Sequence, residues 1–102
     1  MTVDIEKVVE VLKALVGEKK ALRKVIVEVK DADVGAPIYK ATVAIDGVTQ
    51  RTNKDGIAIL LVEPGKYILR VDCYGYELFE KEIVVPEDKD IKVIVPLKSM
   101  ML

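Results

Sequence analysis

The chain has 102 residues, of which 51% are hydrophobic and 32% charged, with a net charge of −1 and one cysteine, Cys73. That length fits a single domain able to bury about two-thirds of its unfolded surface, and the composition excludes a disordered or membrane-spanning chain. Near neutrality excludes a global basic field for nucleic acid or an anionic membrane, and a lone cysteine excludes an internal disulfide.

The chain opens MTVDIEKVVEVLK, with acids among apolar residues and no basic lead. That is not a secretory leader, so the expected address is the cytoplasm. Ile5, Val8, Val9, Leu12, Leu15 and Val16 recur at helical spacing, with Glu6, Lys7, Glu10 and Lys13 off the stripe. Thr2 suits the N-cap, Asp4 the first turn and Gly17 the stop. So short a helix, rich in valine, is marginal alone in water and must dock on something.

After a charged connector, Glu18 to Lys24, the period changes to two. Val25, Val27 and Val29 alternate with Lys24, Ile26, Glu28 and Lys30 in a first strand. Asp31 to Gly35 reads as a polar loop. Ile38, Ala41, Val43 and Ile45 point one way in a second strand, ended by Asp46-Gly47, a strong turn pair. Val48 to Thr52 is a short strand, Asn53 to Gly56 a turn, and Ile57 to Val62 a strand apolar on both faces. That six-residue run is far short of the ~20 residues of a membrane span. Pro64-Gly65 is a turn, and Tyr67, Leu69, Val71 and Cys73 alternate with Lys66, Ile68, Arg70 and Asp72 until Gly75. Leu78 to Val85 and Ile91 to Leu97 complete seven strands. Short strands with regular turns predict a β-sandwich, mainly β, preceded by one amphipathic α-helix. Residues 1–20 form the helix and residues 21–102 the sandwich.

Four motifs occur in order: Pro37-Ile38 with Ala41 to Ile45, Thr52-Asn53-Lys54-Asp55-Gly56, Pro64-Gly65-Lys66-Tyr67-Ile68-Leu69, and Gly75-Tyr76. Together they make residues 24 to 97 resemble the carboxypeptidase regulatory-like domain of the transthyretin-like, or prealbumin-like, sandwiches. The resemblance implies a seven-stranded Greek-key sandwich acting as an accessory module in folding, stability or protein contacts. One departure is Lys40, where the family often has glycine; it implies a less bulged strand. The N-terminal helix is not part of the family's usual pattern. Fold analogy by itself carries little functional weight.

Histidine and tryptophan are absent. Without histidine there is no Ser-His-Asp or Cys-His catalysis, no His-ligated zinc, and no His-dependent iron. The absence also argues against the transthyretin-like hydroxyisourate hydrolases, which rely on histidine and a distinctive C-terminal tetrapeptide. Ser99-Met100-Met101-Leu102 does not match it. Cys73 reads as a small core hydrophobe by strand period. Asp46, Asn53 and Asp55 read as turn residues, and nothing has the density of a calcium loop. Tyr39, Tyr74, Tyr76 and Phe79 lack the tryptophan of sugar sites and the interleaved cations of nucleic-acid grooves, so Tyr74 and Tyr76 are expected to cover a sandwich end. The scarcity of amides beside abundant Lys and Glu resembles thermophile proteins. No catalytic, cofactor or metal residues are therefore expected, and the chain is expected not to be an enzyme.

If Ala58, Leu60 and Val62 face the core, then Ile57, Ile59 and Leu61 face outward. Ile26, Ile68 and Ile94 do so on their own strands. On one sheet, six such residues would make a patch too large to leave wet. The expected interface is therefore the helix stripe (Ile5, Val8, Val9, Leu12, Leu15, Val16) with Ile57, Ile59 and Leu61, on its own sheet or a neighbour's. The leading expectation is a non-catalytic module for protein interaction or assembly. The alternatives are a homo-oligomer subunit using that face, and a small-ligand-binding transthyretin-like protein. The expected partner is a protein or a second copy, with no nucleic acid and no membrane.

Overall fold

The structure is a computed structural model, and it describes residues 21–100. It contains seven strands: β1 Arg23–Asp31, β2 Thr42–Ile45, β3 Val48–Arg51, β4 Ile57–Val62, β5 Gly65–Asp72, β6 Phe79–Val85 and β7 Ile91–Leu97. They form two sheets, in the orders β4-β1-β7 and β3-β2-β5-β6. Within the first sheet β1 runs antiparallel to β4 and parallel to β7, and every pair in the second is antiparallel. The chain passes from one sheet to the other after β1, β3, β4 and β6.

Alternation builds one core between the sheets. Val25, Val27 and Val29 of β1, Leu60 of β4 and Val95 of β7 meet Val43, Ile45, Leu69 and Val71 from the other side, each essentially without solvent contact. The β2–β3 hairpin closes through Asp46 (φ 45°) and Gly47 (φ 80°), the paired left-handed conformation of a type I′ turn.

The segment before β2 departs from the expected strand. Ile38 reaches the core from a single bridge between Lys30 and Pro37, and regular pairing begins only at Thr42. Between them Lys40 takes φ 60°, a conformation that usually favours glycine. The kink that the resemblance places at this position is therefore present, with a lysine in it, and the strand is not less bulged. Thr52 clamps the kink from β3's end. Its buried hydroxyl donates to the Ile38 carbonyl at 2.7 Å and accepts from the Ala41 N–H at 2.9 Å.

The turn after it follows from its residue types. Asn53 Oδ1 accepts from the N–H groups of Asp55 (2.9 Å) and Ile57 (3.0 Å). Gly56, at φ 76°, is buried, and a Cβ there would collide with the Val29 carbonyl oxygen. The last expected boundary to shift is β6, which starts at Phe79 rather than Leu78.

Candidate interaction face

The outer side of the three-stranded sheet is built in rows by the register. Leu61 of β4 lies beside Lys24 of β1. The next row is Ile59, Ile26 and Lys92, and the next Ile57, Glu28 and Ile94. Strand parity directs all of these away from the core, because their neighbours Ala58, Leu60, Val25, Val27 and Val95 fill it. Ile59, Leu61 and Ile94 are 50%, 49% and 50% exposed, while Ile26 and Ile57 are half-buried by their neighbours. One ion pair crosses the face, from Lys92 Nζ to Glu28 Oε2 at 3.2 Å.

Of the expected interface residues, Ile57, Ile59 and Leu61 are thus together on β4, and Ile26 and Ile94 join them. Ile68 does not. It lies on β5 in the other sheet, 48% exposed, opposite Glu82 of β6. The patch therefore has five members, because parity assigns a side chain to the outside without saying of which sheet. Ile5, Val8, Val9, Leu12, Leu15 and Val16 lie outside the described residues. Leu22 was absent from the expected face because it sits in the charged connector. It is 55% exposed and shares a shallow groove with Leu61, Val48 and Tyr67 where the chain enters β1.

The aromatic residues divide. The Tyr67 ring packs against the core and its hydroxyl donates to the Glu63 carbonyl at 2.6 Å, as a partly buried tyrosine requires. Tyr76 also packs against the core and donates to Asp31 Oδ2 at 2.8 Å. Tyr74 covers nothing and stands fully in solvent. Phe79 packs on the core edge, and Tyr39 is half-exposed with Lys40 Nζ 5.3 Å from its ring centre.

The remaining chemistry is sparse. Cys73 is half-buried, and burial, with the Asp72 carboxylate beside it, pushes its thiol pKa up. That keeps it protonated and poorly nucleophilic. Hydrogen bonds from Tyr76, then from the Asp33 and Val34 N–H groups, hold the Asp31 carboxyl below its usual range. Among the described residues no group of three or more His, Cys, Asp or Glu side chains is arranged to hold a metal ion. No helix among them is long and apolar enough to cross a membrane.

No protein-family model and no curated protein matches this sequence. Solved structures do. A protein from Bacteroides fragilis, described as membrane-associated and of unknown function, superposes with a TM-score of 0.59 at 18% identity over 80% of this chain. The TIE protein of Bacillus anthracis gives 0.59 at 22% identity over 78%. A chain of a type II cohesin–X-dockerin complex from Acetivibrio cellulolyticus gives 0.50 at 19% identity over 74%. The matched region spans 29%, 17% and 56% of those chains respectively. At such identities the likeness is one of fold: the two-sheet sandwich recurs as a part of larger proteins.

Proposed function

We propose that this chain is a non-catalytic sandwich module of the carboxypeptidase regulatory-like kind, and that it makes protein contacts through the outer face of β4, β1 and β7. The carrying observation is the cluster of Ile26, Ile57, Ile59, Leu61 and Ile94 on one sheet, three of them about half exposed. Isolated exposed isoleucines are ordinary, but five on one sheet face, crossed by a single Glu28–Lys92 ion pair and with Lys24 at one end, have the make-up of a contact surface. Burying such side chains is worth about 1.5–3 kcal/mol each before ordering costs. The low reactivity of Cys73 and the absence of histidine fit a non-catalytic role. That one similar structure comes from a cohesin–dockerin assembly fits a contact role.

The test is chemical crosslinking capture from source-cell extract with three baits: the unsubstituted chain, Ile59→Asp and Ile68→Asp. The expected result is capture of a protein, or of further copies of this chain, by the first and third and its loss with Ile59→Asp. Equal capture by all three overturns the assignment of this face.

A further inference from the structure

One side of the β4 backbone is open. The Val29 N–H donates to the Gly56 carbonyl at 2.7 Å, and this sets the alternation of the β1–β4 ladder. Ala58, Leu60 and Val62 turn their N–H and C=O toward β1, and Ile57, Ile59 and Leu61 turn theirs away. At Ile57 that outer side is closed by Asn53, whose N–H donates to the Ile57 carbonyl (2.9 Å) and whose Oδ1 accepts from the Ile57 N–H (3.0 Å). Among the described residues nothing bonds to the outward N–H and C=O of Ile59 and Leu61. The other three sheet edges are guarded. β3 is four residues long, and β6 carries Glu80, Lys81 and Glu82. On β7 the Leu97 carbonyl accepts from the Ala32 N–H on the β1 side, so Lys92, Ile94 and Pro96 line the open edge, where proline offers no donor. Short length, charge and proline keep edges from pairing. β4, IAILLV, has no charge and no proline and is apolar on both faces. An edge of that make-up pairs or aggregates unless something covers it.

We propose that β4 pairs antiparallel with β4 of a second copy, about a two-fold axis at Leu60, joining two three-stranded sheets into one. The inference rests on the reading of this side of the sandwich as a contact surface, and it names the partner and the atoms. In this register Ile59 faces Leu61 of the second copy, and Leu61 faces its Ile59. Both are hydrogen-bonded pairs, so the two N–H and two C=O groups open on each copy are all satisfied. Leu60 meets Leu60, and Ala58 meets Val62, small against larger. The axis is perpendicular to the sheet, so the outer faces stay on one side and their rows run through the seam. Lys92, Ile26 and Ile59 continue into Leu61 and Lys24 of the second copy. The apolar side chains therefore meet at the centre, with the lysines at the row ends. The nearest like charges across the seam, Glu28 and Glu63, have Ile57 between them and are about 10 Å apart, beyond a Debye length in physiological salt.

Stacking two copies face to face fits less well. The central strand of that face presents Lys24, Glu28 and Lys30, and a stacked partner would strip water from them. Edge pairing leaves all three at the solvent. A strand from a different protein would need an equally apolar run of matching length, which β4 itself supplies. The seam is about 20 Å long and about 20 Å deep across both layers, roughly 400 Å² per copy, half of a standard interface. The dimer is therefore weak and reversible rather than permanent.

The test uses the full chain. Sedimentation over a concentration series should show reversible exchange between monomer and dimer. Amide exchange of Ile59 and Leu61 should slow about tenfold from the low to the high end of the series, while Ala58 and Leu60, bonded to β1 in either state, stay unchanged. Ile59→Pro removes one outward donor without touching the β1 ladder and should abolish the dimer. Ile94→Asp, on the far strand of the same face, should leave it intact. A monomer at every concentration overturns the pairing, as does a dimer in which Ile59 and Leu61 gain no protection. A dimer that survives Ile59→Pro overturns it too, and one lost in Ile94→Asp overturns it in favour of stacked faces. If Ile59→Pro fails to fold, the amide pattern of the unsubstituted chain decides. A monomeric chain whose capture is still lost in Ile59→Asp overturns the pairing alone. Equal capture by all three baits overturns the contact face itself.

Discussion

The Tyr76 hydroxyl lies 2.8 Å from Asp31 Oδ2, a hydrogen bond between residues 45 positions apart. It joins the end of β1, the central strand of one sheet, to the connection that leaves β5 in the other. Asp31 Oδ1 meanwhile accepts from the N–H groups of Asp33 (2.8 Å) and Val34 (3.1 Å), so one carboxylate both closes its own loop and holds the opposite sheet's exit.

This pair predicts a two-sided pH dependence. The hydrogen bond from Tyr76 lowers the Asp31 pKa and raises that of Tyr76. A lowered carboxyl contributes stability above its unfolded pKa and loses it as pH falls through the folded value; a raised phenol contributes below its unfolded pKa and loses it as pH rises through the folded value. The unfolded values are about 3.9 and about 10, so the stability gap between the unsubstituted chain and Tyr76→Phe should be widest between them and narrow on both sides. Thermal midpoints at pH 3, 7 and 10.5 check this. A gap that stays constant across that range counts against the ionised pair.

Thr52 should be sensitive to chemistry rather than size. Thr52→Val keeps the shape but leaves the Ala41 N–H and the Ile38 carbonyl without the hydroxyl that joins them. Losing both bonds at a buried site should cost about 2–3 kcal/mol. Thr52→Ser keeps the hydroxyl and loses one methyl, about 0.8 kcal/mol. Urea midpoints of the two variants should fall in that order.

Glycine positions with similar dihedrals should respond differently. Gly56 (φ 76°) faces the Val29 carbonyl and the Pro37 side chain, whereas a Cβ at Gly75 (φ 88°) would meet nothing. Gly75→Ala should therefore cost only the conformational strain, about 1 kcal/mol. Gly56→Ala adds a collision with backbone inside the core and should cost more than about 2 kcal/mol. Equal losses in denaturant titration would mean that the close approach at Gly56 relaxes freely.

Much of this fold was legible because its signals are local. Asp46-Gly47 demands a type I′ turn, Thr52 to Gly56 spells a side-chain-bonded turn, and alternation in β1, β4 and β5 names the core. What was not legible depends on distance or context. Nothing in the spacing of Asp31 and Tyr76 says that they meet. Tyr74 and Tyr76 look alike in sequence, but only Tyr76 packs its ring against the core and finds an acceptor. Lys40 hides a left-handed residue, because lysine does not advertise positive φ as glycine does. The contact face was legible as outward parity and not as membership of one sheet, which only pairing decides.

That distinction gives the last prediction. Ile59 and Ile68 are almost equally exposed, at 50% and 48%. Their neighbours differ: Ile59 pairs with Ile26 in a row next to Leu61, Ile57 and Ile94, whereas Ile68 pairs with Glu82 and is flanked by Lys66 and Arg70 on its own strand face. On exposure alone, Ile59→Lys and Ile68→Lys should change stability equally and by less than about 0.5 kcal/mol. If the face around Ile59 is covered in an apolar contact, Ile59→Lys instead buries a charge in that contact and should destabilise the full chain by at least about 1 kcal/mol more than Ile68→Lys. A charge at Ile68 meets water and Glu82 whatever covers the other sheet. Chemical denaturation of the two full-length variants separates the cases, and equal midpoints would mean that the β4 face is bare in the isolated protein.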